Sequence, residues 1–239
     1  MAKKSSKKTT EPKAKRFQPL RWLRRWTLRI GGGIVLFVLL IVALFSVVNP
    51  PTTYYIVSEG SRLGGVDRDW VPMEQIAPVM ARAAVAAEDA DFCEHWGLDV
   101  SAIQSAIESG GDRGGSTISQ QTVKNVFLWH GRTYTRKALE AMITPVVELL
   151  WSKQRILEVY LNIAEFDEGV FGVQAASQHY FGVDAADLSS VQAARLAAIL
   201  PAPKSRSASN PSSFVRNRAA GIIDGAATIR ADGRADCFE

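Results

Sequence analysis

The sequence is poor in cysteine and histidine, and these shortages exclude several kinds of site. Its 239 residues include two cysteines and three histidines, and no two cysteines form a CxxC pair. Two cysteines are too few for a disulfide-stabilised scaffold, and the spacing of His95, His130 and His179 matches no common zinc motif. We therefore expect no metal site built from protein side chains.

Acidic residues are scarce at the N-terminus, where basic residues are concentrated. Residues 1–29 contain eleven Lys and Arg residues and one acid, a net charge of +10, whereas the whole chain carries +4. The remainder therefore has 17 basic and 23 acidic residues, a net charge of −6. This distribution argues against a nucleic-acid-binding domain, because the positive charge does not lie on the part that folds.

Charged residues are absent from Ile30 to Val48, a run of 19 residues. As an α-helix this run would be about 28 Å long, close to the ~30 Å core of a bilayer. Trp22 and Trp26 precede it and Tyr54 and Tyr55 follow it, as is typical at membrane interfaces. A buried core helix or a cleaved signal peptide would have a shorter apolar run. We expect an uncleaved transmembrane helix.

The excess of basic residues predicts the orientation of this helix, because Lys and Arg favour the cytoplasmic side. We expect a basic cytoplasmic tail at 1–27, the transmembrane helix within 28–49 and an exported remainder. The remainder is divided into a membrane-proximal linker at 50–72, a folded domain at 73–230 and a C-terminal tail at 231–239 without an assigned role.

Helical patterns dominate the exported part, and strand patterns are sparse. Its length suits one domain. Pro145 is expected to kink one of its longer helices. The fold class is predicted to be mostly α. Apolar periodicity and turn residues predict helices at 73–90, 100–107, 116–128, 133–152, 154–163, 173–180, 189–199 and 214–229.

Polar side chains share one face of the predicted helix at 116–128. Thr117, Gln121 and Lys124 are spaced four and three residues apart and therefore project from the same side. Ser116 is a suitable N-cap, and the glycines before it would let a ligand approach the helix N-terminus. The alternative interpretation is a solvated face without a ligand.

A stripe of charged residues follows. Arg132, Arg136 and Glu140 repeat every four residues, with Lys137 beside them. One interpretation is an exposed Arg136–Glu140 ion pair worth about 0.3–0.5 kcal/mol. The other joins the stripe to Lys124, so that four cations within 14 residues form a site for a polyanion such as a diphosphate.

Acidic residues crowd the end of the first Ala-rich helix, at Glu88, Asp89 and Asp91. Acids at a helix C-terminus oppose the helix dipole, and a cost without structural gain suggests a function. Burial against the apolar helix would raise the pKa of a carboxyl group there and suit it to a general base. The alternative is a frayed, solvated helix end. His95 is interpreted as a hydrogen-bonded structural residue.

Four short segments occur in a specific order. Residues 88–97 read EDADFCEHWG, residues 115–125 GSTISQQTVKN, residues 136–140 RKALE and residues 153–162 KQRILEVYLN. They resemble the motifs EDxxFxxHxG, GSTxxQQxxKN, RKxxE and KxxILExYLN of the peptidoglycan glycosyltransferases, glycosyltransferase family 51. The resemblance extends over residues 82–204.

The resemblance implies a mostly α, lysozyme-like glycosyltransferase domain behind a single N-terminal transmembrane helix. It implies polymerisation of lipid II into β-1,4-linked glycan strands with release of undecaprenyl diphosphate. A transpeptidase domain has no room in the chain, so a monofunctional biosynthetic peptidoglycan transglycosylase is expected. Its partners would be lipid II, the growing lipid-linked strand, the bacterial inner membrane and other wall-synthesis proteins, and its domain would be periplasmic.

The resemblance also implies roles by position. Glu88 matches the carboxylate proposed as the general base, and Glu140 matches a second essential carboxylate. Lys124 and Arg132 match residues proposed to hold the leaving diphosphate. No cofactor is expected to be required, although Mg²⁺ or Mn²⁺ could bind the diphosphate. The other motif positions expected to bind substrate are Asp89, Phe92, Ser116, Thr117, Gln121, Asn125, Arg136 and Lys137.

Two other functions are alternatives. A membrane-anchored lytic enzyme of lysozyme-like fold would need one acidic Glu but would have no use for Lys124 and Arg132. A non-catalytic scaffold of wall synthesis would not need two carboxylates with paired cations. Cys93 and Cys237 could form a disulfide in an oxidising compartment, but the sequence does not show whether they are close in space. Departures from the family pattern occur at Thr122, Pro145, Asp167 and Ala202.

Overall fold

The structure is a computed structural model that describes residues 19–99, 104, 115–131 and 133–239. The chain divides into two compact units, 1–40 and 41–239, each described here by itself. Three sequence predictions lie outside the described residues: the basic tail as far as residue 18, the helix at 100–107 apart from residue 104, and the placement of Arg132.

Helix α1, Pro19–Phe45, contains the long apolar run. Its most apolar 18-residue window has a mean hydropathy of 2.6, and among the described residues it is the helix long and apolar enough to cross a membrane. This helix begins before the predicted transmembrane segment, 28–49, and ends within it. The run marks the part that fits within lipid, whereas helical hydrogen bonding starts earlier and gives way to a turn after Phe45.

The second unit is mostly helical. Every helix predicted from residue 116 onward lies within two residues of an observed one. The predicted helix at 73–90 is instead a 3₁₀ turn, Met73–Gln75, followed by an α-helix that begins at Pro78. The α-helices of this unit are α2 Tyr54–Leu63, α3 Pro78–Glu88, α4 Ile118–Phe127, α5 Tyr134–Leu150, α6 Lys153–Ile163, α7 Val173–Phe181, α8 Ser190–Ile199 and α9 Ser213–Ala231.

Hydroxyl side chains define the starts of the helices that matter for the site. Thr117 caps α4, and its side chain and that of Gln120 form a reciprocal capping box. The prediction that Ser116 is the N-cap was therefore wrong by one residue. Thr133 caps α5 in the same way, by accepting a hydrogen bond from the Arg136 backbone. Helix α5 continues through Pro145 as one α-helix.

Two groups of helices form the core. Helices α3, α8 and α9 pack against one another, and α4 packs against α5 and α6. The buried alanines of α3 and α8 let these helices approach closely. Helix α6 is buried along most of its length, from Ile156 to Ile163. The candidate site lies where the end of α3, in the first group, meets α4, in the second.

A small sheet, which the sequence analysis did not predict, lies beside these helices. Its strands are β1 Asp67–Arg68, β2 Glu165–Asp167 and β3 Val170–Phe171, in the order β1-β3-β2. Strand β1 is parallel to β3, with Asp67 opposite Val170, and β2 is antiparallel to β3. Strands of two or three residues are too short to produce a recognisable alternation of apolar and polar residues.

A disulfide joins Cys93 to Cys237 and closes a sequence separation of 144 residues. This bond decides the question that the sequence left open. It attaches residues 232–239, which follow α9, to the turn that follows α3.

Candidate active site

Glu88 is the last residue of α3 and points toward α4. Gln121 Nε2 donates a hydrogen bond to Glu88 Oε2 at 3.0 Å. Arg218 Nη2, on α9, lies 3.8 Å from Glu88 Oε1. The Glu88 side chain is 12% exposed, so the carboxyl group is largely removed from water but remains accessible.

Burial raises the pKa of Glu88 above its usual value of 4.5. The Gln121 hydrogen bond and the Arg218 cation oppose this effect, and the neighbouring Asp89 carboxylate adds to it. The sequence analysis predicted a raised pKa at this helix end, and the direction is confirmed. A carboxyl group with a raised pKa is a better proton acceptor than an ordinary exposed glutamate.

Asp89 lies beside Glu88, but its carboxylate is committed to the fold. Asp89 Oδ1 accepts a hydrogen bond from His95 Nε2 at 2.8 Å, and Asp89 Oδ2 accepts one from the Ile118 backbone at 2.9 Å. The second bond satisfies a free N–H at the start of α4. Asp89 therefore stabilises the start of α4, a structural role that the sequence analysis did not predict. The interpretation of His95 as a hydrogen-bonded structural residue is confirmed.

Two further residues of the first motif, Phe92 and Gly97, are buried. Phe92 is fully buried, and the Lys153 ammonium lies 4.4 Å from the centre of its ring. Gly97 has a φ of +80°, and a side chain there would collide with Thr144 and Glu148. Phe92, which was predicted to bind substrate, does not reach the cleft described below.

Some polar residues of α4 make structural hydrogen bonds, and others line a cleft. Thr117 is buried and donates its hydroxyl hydrogen bond to the Gly97 carbonyl. Gln121, Lys124 and Asn125 line an open cleft of about 400 Å³. These three residues therefore share a concave surface, and the prediction that this face binds a ligand stays a prediction.

Lys124 is a partly buried cation, and burial lowers its pKa below the usual 10.5. Among the described residues, no hydrogen bond or ion pair engages its ammonium group. Glu140 and Glu88 are close enough to favour its charged form, whereas Arg136 and Lys137 oppose it. Lys124 is thus a partly desolvated cation that lines the cleft.

Glu140, on α5, is the acidic residue of the predicted charged stripe. Its side chain is 3% exposed, with Arg136 bonded to one carboxylate oxygen and Lys137 to the other. Lys137 also donates to Ser116 Oγ at 3.0 Å. The interpretation of Arg136 and Glu140 as an exposed surface pair is therefore wrong, because both are buried. Arg132, the fourth predicted cation, lies outside the described residues.

Other lining residues of the cleft were not predicted as site residues, and Tyr55 among them was expected at the membrane interface. The ring of Tyr55, on α2, stacks on His130 with 3.7 Å between centroids. Tyr55 donates its hydroxyl hydrogen bond to Glu165, and Lys204 lies nearby. Burial of the stacked ring, together with the nearby Lys124 cation, lowers the pKa of His130 to about 4, so this histidine is neutral at physiological pH.

Little in the sequence indicates that Tyr55 or Arg218 belongs to the site. Tyr55 lies in a helix whose N-cap, Thr53, and C-terminal Gly64 are ordinary helix boundaries, but its run of aromatic and β-branched residues resembles a strand. Arg218 is one of several arginines on α9, and nothing local distinguishes the one that faces Glu88. Their roles come from tertiary contacts.

The departures from the motif pattern differ in how well their surroundings suit them. Asp167 accepts a hydrogen bond from the Tyr180 hydroxyl at 2.8 Å. Ala202 lines the cleft. The buried Thr122 hydroxyl has no hydrogen-bond partner among the residues that the structure describes. Within the same residues, no group of three or more His, Cys, Asp or Glu side chains could hold a metal ion.

Comparisons with known proteins give a consistent result. A family model described as Transglycosylase matches residues 57–227. A biosynthetic peptidoglycan transglycosylase of Jannaschia sp. is 62% identical over 90% of this chain and 90% of that protein. Proteins of the same name from Caulobacter vibrioides and Pseudomonas syringae pv. syringae are 46% and 52% identical, over 91% and 77% of this chain and 96% and 82% of their own lengths.

Proposed function

Since this chain belongs to the transglycosylase family and is a peptidoglycan glycosyltransferase of cell wall synthesis, we propose that it polymerises lipid II with Glu88 as the general base. The acceptor is a sugar 4-hydroxyl, which is a weak nucleophile. Glu88 takes its proton as the oxygen forms a bond to C1 of the donor sugar. General base catalysis of this kind contributes about 10²–10⁴-fold in rate.

Departure of the diphosphate completes the reaction. The bond between C1 and the diphosphate oxygen breaks, and direct displacement converts the α linkage into a β-1,4 linkage. Lys124 stabilises the departing negative charge, because an ammonium group removed from water interacts strongly with it. The leaving group needs no proton, in contrast to the alkoxide of glycoside hydrolysis. The prediction that Arg132 assists stays a prediction.

Glu140 has a different part in this proposal. Both of its oxygens are engaged by Arg136 and Lys137, so it is poorly placed to accept another proton. We assign it the role of a counter-ion that holds these two cations beside Lys124. The proposal includes no cofactor, and a divalent metal bound to the diphosphate is testable by adding EDTA to the assay.

The proposed orientation has the second unit on the outer side of the bacterial inner membrane. The basic N-terminal tail favours the cytoplasm. The Cys93–Cys237 disulfide supports an exported domain, because such bonds form and persist in oxidising compartments such as the periplasm. A membrane anchor would also keep the enzyme near lipid-linked substrates, which raises their effective concentration.

The hydrogen bond from Gln121 to Glu88, with Lys124 in the adjoining cleft, carries this proposal. The test is incubation of the purified full-length protein in detergent with lipid II, followed by gel separation of the products. A ladder of glycan strands that grows with time is the expected result. Digestion of preformed wall without synthesis would instead indicate the lytic enzyme, and neither activity would indicate the scaffold.

A further inference from the structure

The segment after α9, residues 232–239, folds back onto the turn that follows Glu88. Gly233 redirects the chain with a φ of +80°, which favours glycine. Cys237 is joined to Cys93 in the turn, and Phe238 is 1% exposed. The rings of Phe238 and Phe92 pack with 6.3 Å between their centroids.

Polar contacts hold the same segment at both ends. Arg234 Nη1 lies 3.0 Å from Asp91 Oδ1 and donates to the Ala90 carbonyl at 3.2 Å. Glu239 pairs with Arg82, which lies on α3, about one and two-thirds turns before Glu88. The turn and the helix before it are therefore fixed from outside by an ion pair, a disulfide, an aromatic contact and a second ion pair.

The turn at 89–95 also determines which groups surround Glu88. The Asp89 backbone closes α3 by donating to the Val85 carbonyl at 2.8 Å. The Asp89 carboxylate bonds the start of α4 at Ile118, and three residues later Gln121 donates to Glu88. A displacement of the turn would therefore change the position of Glu88 relative to Gln121.

Helix α9 also contacts the end of α3 beside Glu88. Arg218 Nη2 donates to the Ala87 carbonyl at 3.2 Å and lies 3.8 Å from the Glu88 carboxylate. Helix α9, which contacts Glu88 through Arg218, is therefore continuous with residues 232–239, which hold the turn. The contacts are continuous from Cys237 to the carboxyl group.

We propose that residues 232–239, linked through the Cys93–Cys237 disulfide, are positioning residues for Glu88 in the transfer reaction. They do not touch the substrate. They hold the turn at 89–95 so that Glu88, Gln121 and the start of α4 keep the geometry needed for proton removal. This inference rests on the proposed role of Glu88 as the general base.

Reduction of the disulfide provides the test, because the chain contains only these two cysteines. A dithiol such as dithiothreitol transfers two electrons and two protons to the S–S bond, leaving two thiols, and is itself oxidised to a cyclic disulfide. The full-length protein is assayed with lipid II before and after reduction, at a temperature at which circular dichroism shows both forms folded. The Cys93→Ser/Cys237→Ser variant, with and without dithiol, controls for other effects of the reagent.

The expected result is a fall in kcat of about tenfold or more with a smaller change in KM, since small misplacements of a catalytic group reduce the rate steeply. The acidic limb of the kcat profile should move to lower pH. Burial is the main cause of the raised pKa of Glu88, and a loosened turn admits water. The double variant should behave like the reduced protein and should not respond to dithiol.

Unchanged kcat and an unchanged pH profile after reduction, even with a lower melting temperature, would overturn the proposal and leave the disulfide a purely structural role. If the reduced protein unfolds, Arg234→Ala tests the same idea with the disulfide intact. It should lower kcat, whereas Arg230→Ala, on the exposed end of α9, should not. Equal activity of both arginine variants would also contradict the proposal.

Failure of this inference is distinguishable from failure of the proposed function. If the oxidised wild-type protein makes no glycan strands, the proposed function fails. If the oxidised protein is active and reduction has no effect, the function stands and only the positioning role is lost.

Discussion

The Gln121 amide donates a hydrogen bond to the Glu88 carboxylate across 3.0 Å, although the two residues are 33 positions apart in the chain. This contact connects the end of α3 to the first turns of α4, and so it joins the two groups of helices at the site. The amide holds one oxygen of the carboxylate, while burial makes the carboxyl group a stronger base. The Gln121 hydrogen bond therefore positions the carboxylate and also lowers its pKa, against the larger opposite effect of burial.

Replacement of Glu88 by Gln should abolish strand synthesis without harming the fold. Folding disfavours the charged carboxylate, since its pKa is raised, so the wild-type protein loses stability as pH rises from the unfolded pKa through the folded one. Gln carries no charge, and the variant should melt at or above the wild-type temperature at pH 7. Glu94→Gln, on the exposed part of the same turn, should keep activity. Retained synthesis by Glu88→Gln would exclude Glu88 as the base.

Replacement of Arg218 by Met should shift the pH dependence of kcat. The base must be deprotonated, so activity falls as pH drops through the pKa of Glu88, which lies above 4.5. Arg218 lowers this pKa, and its removal should move the acidic limb to higher pH. Arg216→Met removes the same charge from an exposed position on the same helix and should leave the limb in place. Identical profiles for both variants would show that Arg218 does not act on Glu88.

Replacement of Lys124 by Met should slow turnover by about 10²–10³-fold, the usual cost of losing one group that stabilises developing charge. The KM for lipid II should change much less, because the charge on the leaving diphosphate increases in the transition state. Lys124→Arg keeps the charge and should recover part of the rate. Steady-state kinetics with lipid II measures both values. A wild-type kcat for Lys124→Met would refute the role of this cation.

Replacement of Glu140 by Gln should destabilise the domain by about 3–5 kcal/mol, because it leaves the buried Arg136 without its counter-ion. Urea unfolding measures this difference. Glu168→Gln breaks an exposed pair with Arg62 and should hardly change the midpoint. If Glu140→Gln is instead inactive but fully stable, Glu140 takes part in the chemistry and is not simply a counter-ion.

Much of the fold was predictable because its helices are long and periodic. Apolar spacing and turn residues located helices from residue 116 onward to within two residues. The same reasoning missed α2, Tyr54–Leu63, since its run of aromatic and β-branched residues favours a strand locally. Tertiary packing on α4 decides the helix there.

The candidate site was predictable to a smaller extent. Helical spacing grouped Gln121 with Lys124, the crowding of acids at a helix end indicated Glu88, and the resemblance to family motifs joined the three. Asp89 lies in the same motif, but its contacts with His95 and Ile118 are visible only when the chain is folded. Arg218 approaches Glu88 from 130 positions away, and no pattern within one sequence segment reports such a contact.

The disulfide has a consequence for the order in which the protein becomes complete. Synthesis proceeds from the N-terminus, and Cys237 follows every described residue that forms the cleft. The bond to Cys93 can form only after the ribosome has synthesised all of these residues. A nascent chain that has emerged only as far as α8 lacks both Arg218 and the covalent link to the turn after Glu88. The covalent link to the turn after Glu88 therefore forms only after every described residue that lines the cleft has been synthesised.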